Sequence, residues 1–297
     1  MTNVSIVLPT YNRAATIGRA IESVLNQTYP DFELLIVDDG STDNTEIVVA
    51  QYLKDTRVKY YKRKNQGASA ARNFGISVGT GDYVAFQDSD DEWLENKLAL
   101  QISSFAECAD SVCMVYGDLL RVNNAGIEEI RQSPDVIGNE LFNPETKEFN
   151  VFGIGIQTCL IKRSALNKAG KFDTELPRFI DLELFIRLSR VGGFLRLAYP
   201  IVRYYEMPGI STNPLNAAIA RLKIIEKYST EANLRPKELA FQYLQVAGCY
   251  WKTPYHDEKK RYARKVLFSK QADLSLKLQA FLLLCIPRAL GKRLLGR

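Results

Sequence analysis

Three carboxylates fall within four residues at Asp88-Ser89-Asp90-Asp91, directly after the apolar run Tyr83-Val84-Ala85-Phe86. Like charges at the exit of a buried strand are costly to hold together unless a cation sits among them. Oxygen donors of this kind suit hard divalent cations such as Mg²⁺ or Mn²⁺, and such cations in turn bind phosphate. A metal-phosphate site is the leading reading. Other reactive side chains are scarce. Five cysteines without a CxxC spacing and the single His256 leave little for disulfide, zinc or histidine-dependent chemistry.

The elements that must position those carboxylates are legible in the first ninety residues, where apolar runs alternate with helix-like periods. That is the pattern of a parallel sheet flanked by helices. Residues 4–8 read as a strand, and Ile17, Ile21, Val24 and Leu25 form the apolar face of a helix ending near Tyr29-Pro30. Leu34–Val37 is a second strand, followed by a helix with Ser41 or Thr42 as N-cap. Val58–Tyr61 is a third strand, Ala68–Val78 a helix, and Tyr83–Phe86 a fourth strand. Asp39 and Asp88 therefore both lie at carboxyl ends of strands, the edge at which open α/β sheets bind ligands. Farther on, Val112–Leu120, Gln157–Ile161 and Phe194–Tyr205 read as strands and Asp181–Arg190 as a short helix. The polar interval 123–150 could cover a site. From Ala217 the chain reads as helical. Met207-Pro208-Gly209 and Asn213-Pro214 mark a boundary, giving a domain at 1–205 and a helical region at 206–297.

At 46% hydrophobic and 25% charged, 297 residues suit one large domain with an appendage and argue against disorder. No apolar run reaches the roughly 18 residues of a membrane span, and no signal-peptide pattern follows Met1, so a cytoplasmic location is expected. Basic residues gather at Lys62, Arg63, Lys64 and Arg72, and again at Arg288, Lys292, Arg293 and Arg297. The first group could face a nucleotide phosphate and the second an anionic lipid surface. Leu274, Leu278, Phe281, Leu282, Cys285 and Ile286 recur at helical spacing before Pro287, with Leu290, Leu294 and Leu295 among the final cations. Packing or peripheral contact at the inner face of a membrane both account for that pattern. Nucleic acid is not an expected partner, since the acids at 88–91 would repel its phosphates and no basic run is interleaved with aromatics.

Pro9-Thr10-Tyr11-Asn12, Asp38-Asp39-Gly40-Ser41 and Asn65-Gln66-Gly67-Ala68-Ser69-Ala70-Ala71-Arg72-Asn73 each have an ordinary explanation as a loop, a turn or a helix start. Their order and separation, ending in Asp88-Ser89-Asp90-Asp91, is far more specific. The set resembles glycosyltransferase family 2, the GT-A fold of inverting nucleotide-sugar transferases, over residues 4–205. The likeness continues through Thr158–Ser164, Gly170-Lys171-Phe172-Asp173 and Phe179–Leu188.

The resemblance implies a Rossmann-like mixed α/β sheet flanked by helices, with a C-terminal helical appendage. Tyr11 would stack on the donor's base in a pocket shaped by Pro9 and Thr10, Asp39 would accept a hydrogen bond from that base, and Arg72 would help to hold the nucleotide. It also brings Asn12, Asp38, Asn65, Gly67 and Ser89 into the nucleotide-sugar site. Asp88 would contact ribose and metal, with Asp90 and Asp91 completing the Mg²⁺ or Mn²⁺ side. Asp181 would be the general base that activates a glycan or lipid-linked acceptor hydroxyl. The family's usual Glu-Asp pair is here Ile180-Asp181, and Glu183 points elsewhere on a helix because i and i+2 do not share a face. No Gln-x-x-Arg-Trp motif is present, so a non-processive transferase is expected. Two rivals remain. One is a catalytically silent nucleotide-sugar binder. The other is an aspartate-nucleophile phosphohydrolase, which typically needs Thr or Val where this chain has Glu92.

Overall fold

The structure is a computed structural model and describes residues 4–123, 125–136, 142–143, 146, 148–206, 213–229 and 236–285. The chain divides into two compact units. One comprises Met1–Asn139, Val151–Thr174 and Ile180–Met207; the other comprises Glu140–Asn150, Glu175–Phe179 and Pro208–Arg297.

In the first unit β1 (Val4–Thr10), β2 (Phe32–Asp38), β3 (Val58–Lys62) and β4 (Tyr83–Phe86) run parallel, in the order β3-β2-β1-β4. Every residue of β1 and β2 is buried, as expected for central strands covered on both faces. The sheet becomes mixed beyond β4. Among the described residues it continues through β8 (Leu160–Lys162), β6 (Val112–Val122), β9 (Gly193–Tyr205) and the short β5 (Glu92–Trp93), with β7 (Glu128–Arg131) paired to β6. β8 is antiparallel to both β4 and β6, whereas β9 is parallel to β6. Helices α1 (Ile17–Leu25), α2 (Thr45–Ala50), α3 (Ala68–Val78) and α4 (Lys97–Glu107) connect these strands, and α5 (Arg163–Ala169) and α6 (Ile180–Leu188) precede β9. The apolar stripe of α1, Ile17, Ala20, Ile21 and Val24, is fully buried in the core cluster with Ile6, Leu8, Leu34 and Ile36.

Two elements of the first unit differ from the sequence reading. The helix expected from Ser41 or Thr42 begins at Thr45, because the Ser41 hydroxyl is committed to the Asn12 N–H at 2.9 Å. Gln157–Ile161 is not one strand. A 3-10 turn at Ile156–Thr158 precedes β8, and the Gln157 side chain is held elsewhere.

The second unit contains α7 (Pro214–Ser229), α8 (Pro236–Trp251), α9 (His256–Leu267) and α10 (Leu274–Cys285). Val246, Ala247, Tyr250, Tyr262 and Ala263 form one buried cluster; Leu244, Val266, Leu276 and Ala280 belong to another. Glu148 joins this unit through Arg221 at 2.7 Å and Gln242 at 2.9 Å. Among the described residues no helix is long and apolar enough to cross a membrane. Met207-Pro208-Gly209 and residues 286–297, with their basic cluster, lie outside the described residues.

Candidate functional site

The carboxyl ends of β1, β2 and β4 carry the polar residues singled out in the sequence. At the end of β1, Pro9 and Thr10 are buried while Tyr11 is 47% exposed, leaving its ring available for stacking. The Thr10 hydroxyl is buried without a hydrogen-bond partner among the described residues. Asn12 adopts a left-handed backbone (φ 52), a conformation that asparagine tolerates, and its Oδ1 accepts the Thr42 N–H at 2.8 Å. Arg13 N–H donates to Thr45 Oγ1 at 2.9 Å, so the loop after β1 is stitched onto the loop after β2.

Asp38 is fully buried, with Oδ1 accepting the Ser41 N–H at 2.7 Å and Oδ2 the Tyr60 hydroxyl at 2.5 Å. Asp39 accepts the N–H groups of Gln66 at 2.9 Å and Gly67 at 2.7 Å, fixing the turn that starts α3. Gly40 and Gly67 have φ of 85° and 90° there, a region that favours glycine. Asn65 is exposed on the same turn.

One turn into α3, Arg72 is buried and its Nη2 donates to Asp88 Oδ1 at 2.6 Å. Its Nε is buried without a partner among the described residues. Ser89 is buried, and Asp90 lies 3.5 Å from the Arg13 guanidinium. Burial, and then the charge of Asp88, push the Asp90 carboxyl above its ordinary range, against the opposing pull of Arg13 and Arg19. The Asp91 carboxyl is pushed well above its ordinary range too, by burial first and then by the charges of Asp88 and Asp90. Asp91 is 1% exposed, and its two oxygens accept the Tyr205 N–H and the Gln157 Nε2–H, each at 3.1 Å.

Asp88 and Asp90, with side chains 26% and 23% exposed, are more accessible to an external cation than Asp91. Among the described residues no group of three or more His, Cys, Asp or Glu side chains forms a metal cage. Two mutually repelling carboxylates fit a hard divalent cation whose remaining ligands are phosphate oxygens and water, the usual situation of Mg²⁺.

Asp181 occupies the first turn of α6, just after Phe179, whose left-handed backbone (φ 58) is a strained conformation for a bulky residue. It lies deep in the protein yet keeps some solvent access, and its Oδ1 accepts the Leu182 N–H at 2.9 Å. Burial pushes its carboxyl up; that hydrogen bond and the charge of Arg72 oppose the shift, and Asp88 adds to it. The charges of Arg72 and Asp88 therefore both act on Asp181. Glu183 is fully buried and paired with Arg187 at 2.7 Å.

Several positioning residues escaped the sequence reading. Arg19 lies 3.6 Å from the centroid of the Tyr205 ring and donates to the Asp90 carbonyl at 2.6 Å. Asn73 exchanges hydrogen bonds of 2.9 and 2.8 Å with the Phe172 backbone, fastening the 170–173 segment to α3. Asn73 closes the Asn65–Asn73 motif, but nothing in the sequence pointed to its partner at Phe172. The partners of Arg19 and Asp91 are distant in sequence.

The architecture is matched by solved glycosyltransferases. Staphylococcus aureus TarS (residues 1–349, in complex with UDP-GlcNAc) superposes with a TM-score of 0.70 at 18% identity, covering 100% of this chain and 93% of that one. The mannosyltransferase PcManGT of Pyrobaculum calidifontis, in complex with GDP-Man and Mn²⁺, gives 0.61 at 14% identity, covering 99% and 87%. At these identities the likeness concerns the fold, which is GT-A. The sequence model described as Glycosyl transferase family 2 matches residues 5–169, more than half of the chain, and the chain belongs to that family. An uncharacterized glycosyltransferase of Nostoc is 38% identical over 220 residues, 73% of this chain and 68% of its relative. The Escherichia coli UDP-Glc:alpha-D-GlcNAc-diphosphoundecaprenol beta-1,3-glucosyltransferase WfgD is 38% identical over 165 residues, 55% of this chain and 62% of that enzyme. An uncharacterized glycosyltransferase of Rickettsia conorii is 39% identical over 162 residues, 54% of this chain but 24% of its own length. The chain thus spans less than two thirds of several curated relatives.

Proposed function

We propose that this chain transfers a single sugar, with inversion, from a UDP-sugar to a hydroxyl of a glycan or lipid-linked acceptor in cell-surface polysaccharide or glycolipid synthesis. The observation that carries the reading is the meeting of the Arg72–Asp88 pair with a buried, electrostatically linked Asp181. Tyr11 offers a stacking face for the base, and the Asp39 turn borders it. Asp88 and Asp90 would hold Mg²⁺ or Mn²⁺, which when bound supplies charge neutralisation for the departing diphosphate. Arg72 and Arg13 add fixed positive charge on the same side.

Asp181 acts as general base. Its raised carboxyl pKa brings it nearer the range in which a base both ionises and holds a proton usefully. Attack on the anomeric carbon from the side opposite the diphosphate inverts its configuration in one displacement. An acceptor carried on lipid would bring the chain to the inner face of an anionic membrane, which suits its basic C-terminal region.

The test pairs binding with turnover. UDP and UDP-sugars with Mn²⁺ are expected to raise the melting temperature of wild type and of Asp181→Asn alike. Transfer to a hydroxyl acceptor is expected to fall by about 10²–10⁴-fold in Asp181→Asn. Full transfer by that variant would remove the assigned base. Stabilisation by no nucleotide at all would remove the donor reading, and binding without turnover in wild type would identify a silent binder.

A further inference from the structure

Helix α10 carries its apolar residues on two sides. Leu276 and Ala280 are buried in the helical unit, but Leu274 is 83%, Leu278 56% and Phe281 50% exposed, with Leu282 at 37%. Positions 274, 278, 281 and 282 share one helix face, so the exposed residues form a continuous ridge. Beside Leu282 lies a cavity of about 200 Å³, lined by Leu244, Gln245, Gly248 and Trp251 of α8 and by Gln279, Leu282 and Leu283 of α10. A Cβ built on Gly248 meets nothing within 4 Å, so the glycine leaves that space open. The Trp251 indole N–H is buried without a hydrogen-bond partner among the described residues.

Charge indicates what covers this face. From Lys252 to Cys285 the chain has eight lysines and arginines against three acidic residues, although the net charge of the whole sequence is only +5. A second copy would bring two surfaces of like charge together, which disfavours self-association. An anionic lipid surface satisfies both features, attracting the cations while accepting the ridge into its apolar boundary.

We propose that the exposed face of α10, with the cavity it shares with α8, is a docking site for an anionic lipid bilayer, the ridge entering the interface and the cavity receiving part of one hydrocarbon chain. Trp251 donates its free N–H to a lipid ester or phosphate oxygen, the position an amphipathic indole favours at such boundaries. The purpose of the site, bringing the enzyme to a lipid-linked acceptor, rests on the function proposed above; its existence rests on these residues alone.

Vesicles of phosphatidylglycerol mixed with phosphatidylcholine, and vesicles of pure phosphatidylcholine, provide the probe in a sedimentation assay with the full chain. Wild type is expected to bind the anionic vesicles and to lose binding as salt is raised. Leu278→Ser combined with Phe281→Ser is expected to weaken partitioning by about tenfold or more. Gly248→Leu, whose Cβ has nothing within 4 Å and whose side chain would occupy part of the cavity, is expected to weaken it by a smaller factor. A melting-temperature shift with UDP and Mn²⁺ checks each variant's fold and donor site. Undiminished vesicle binding by both variants would overturn the proposal, as would equal wild-type binding to the two vesicle types. Vesicle binding without any nucleotide effect would leave this surface standing and remove the donor reading instead.

Discussion

Glu183→Gln tests whether the carboxylate missing at position 180 is supplied from nearby. Glu183 is fully buried in α6, and Arg187 donates Nε to both of its oxygens at 3.0 and 3.1 Å and Nη2 to Oε2 at 2.7 Å. Arg187 also donates to the carbonyls of Ala169 and Lys171, tying the 169–171 bend to α6. Removing one charge from a buried pair costs about 3–5 kcal/mol, mostly because the other is left uncompensated. Arg187 keeps two carbonyl acceptors, and its side chain is 18% exposed, so the low end, about 3 kcal/mol, applies here. That corresponds to a fall of roughly 6–12 °C in melting temperature, measured by circular dichroism, with urea unfolding as a second readout. Below the new transition, kcat per folded molecule should stay within about twofold, a change of less than 0.5 kcal/mol in barrier. An unchanged melting temperature with kcat reduced a hundredfold would refute the reasoning and make Glu183 part of the chemistry.

Asp91→Asn should leave the Mn²⁺-dependent effect of UDP on melting nearly intact, whereas Asp88→Asn should abolish it, since Asp91 already serves Tyr205 and Gln157; equal loss in both would restore Asp91 as a ligand. Glu33 illustrates pH-dependent stability: burial pushes its carboxyl up, but Lys59, Thr80 and Ser5 outweigh this and hold it at about 2, against an ordinary 4.5. Its contribution is therefore present above pH 4.5 and lost as pH falls toward 2. After discounting for the half-exposed Lys59, Glu33→Gln should cost about 2 kcal/mol at pH 7 and progressively less in acid. A pH-independent difference in urea stability would contradict that assignment. Gly75→Ala would drive a methyl group into Val7 beneath α3, costing about 1–3 kcal/mol and loosening the helix that carries Arg72; an unchanged urea midpoint would show that the packing can yield.

The strands that position the donor side were legible because β1, β2 and β4 are nearly uninterrupted apolar runs and each ends in a polar turn. Residue type and spacing sufficed to place Asp39 and Asp88 at strand ends and Arg72 one turn into α3. The contacts of neighbouring carboxylates were not legible, because their partners are distant in sequence. Asp91 turns inward to partners 66 and 114 residues away. Asp38 is taken by Tyr60 from the adjacent strand. The start of α2 moved because Ser41 serves Asn12, 29 residues earlier. Likewise, 123–150 reads as one polar interval, yet its stretch Glu140–Asn150 falls in the helical unit, where Arg221 and Gln242 hold Glu148.

Arg72 connects the two halves of the proposed reaction. Its guanidinium touches Asp88 on the donor side, and its charge lowers the pKa of Asp181 against burial. Ile180 stands where the family usually has Glu, so the ionic influences on the proposed base Asp181 come from Arg72 and Asp88. Replacing Arg72 by Met should therefore do more than weaken nucleotide binding. Without that positive charge the Asp181 carboxyl rises further, and the acidic limb of kcat measured at saturating donor and acceptor moves to higher pH. Arg72→Lys keeps the charge but loses the planar fork. It should raise the donor KM while leaving the limb near its wild-type position. Parallel profiles for wild type, Arg72→Lys and Arg72→Met would separate Asp181 ionisation from Arg72 and sink the coupling.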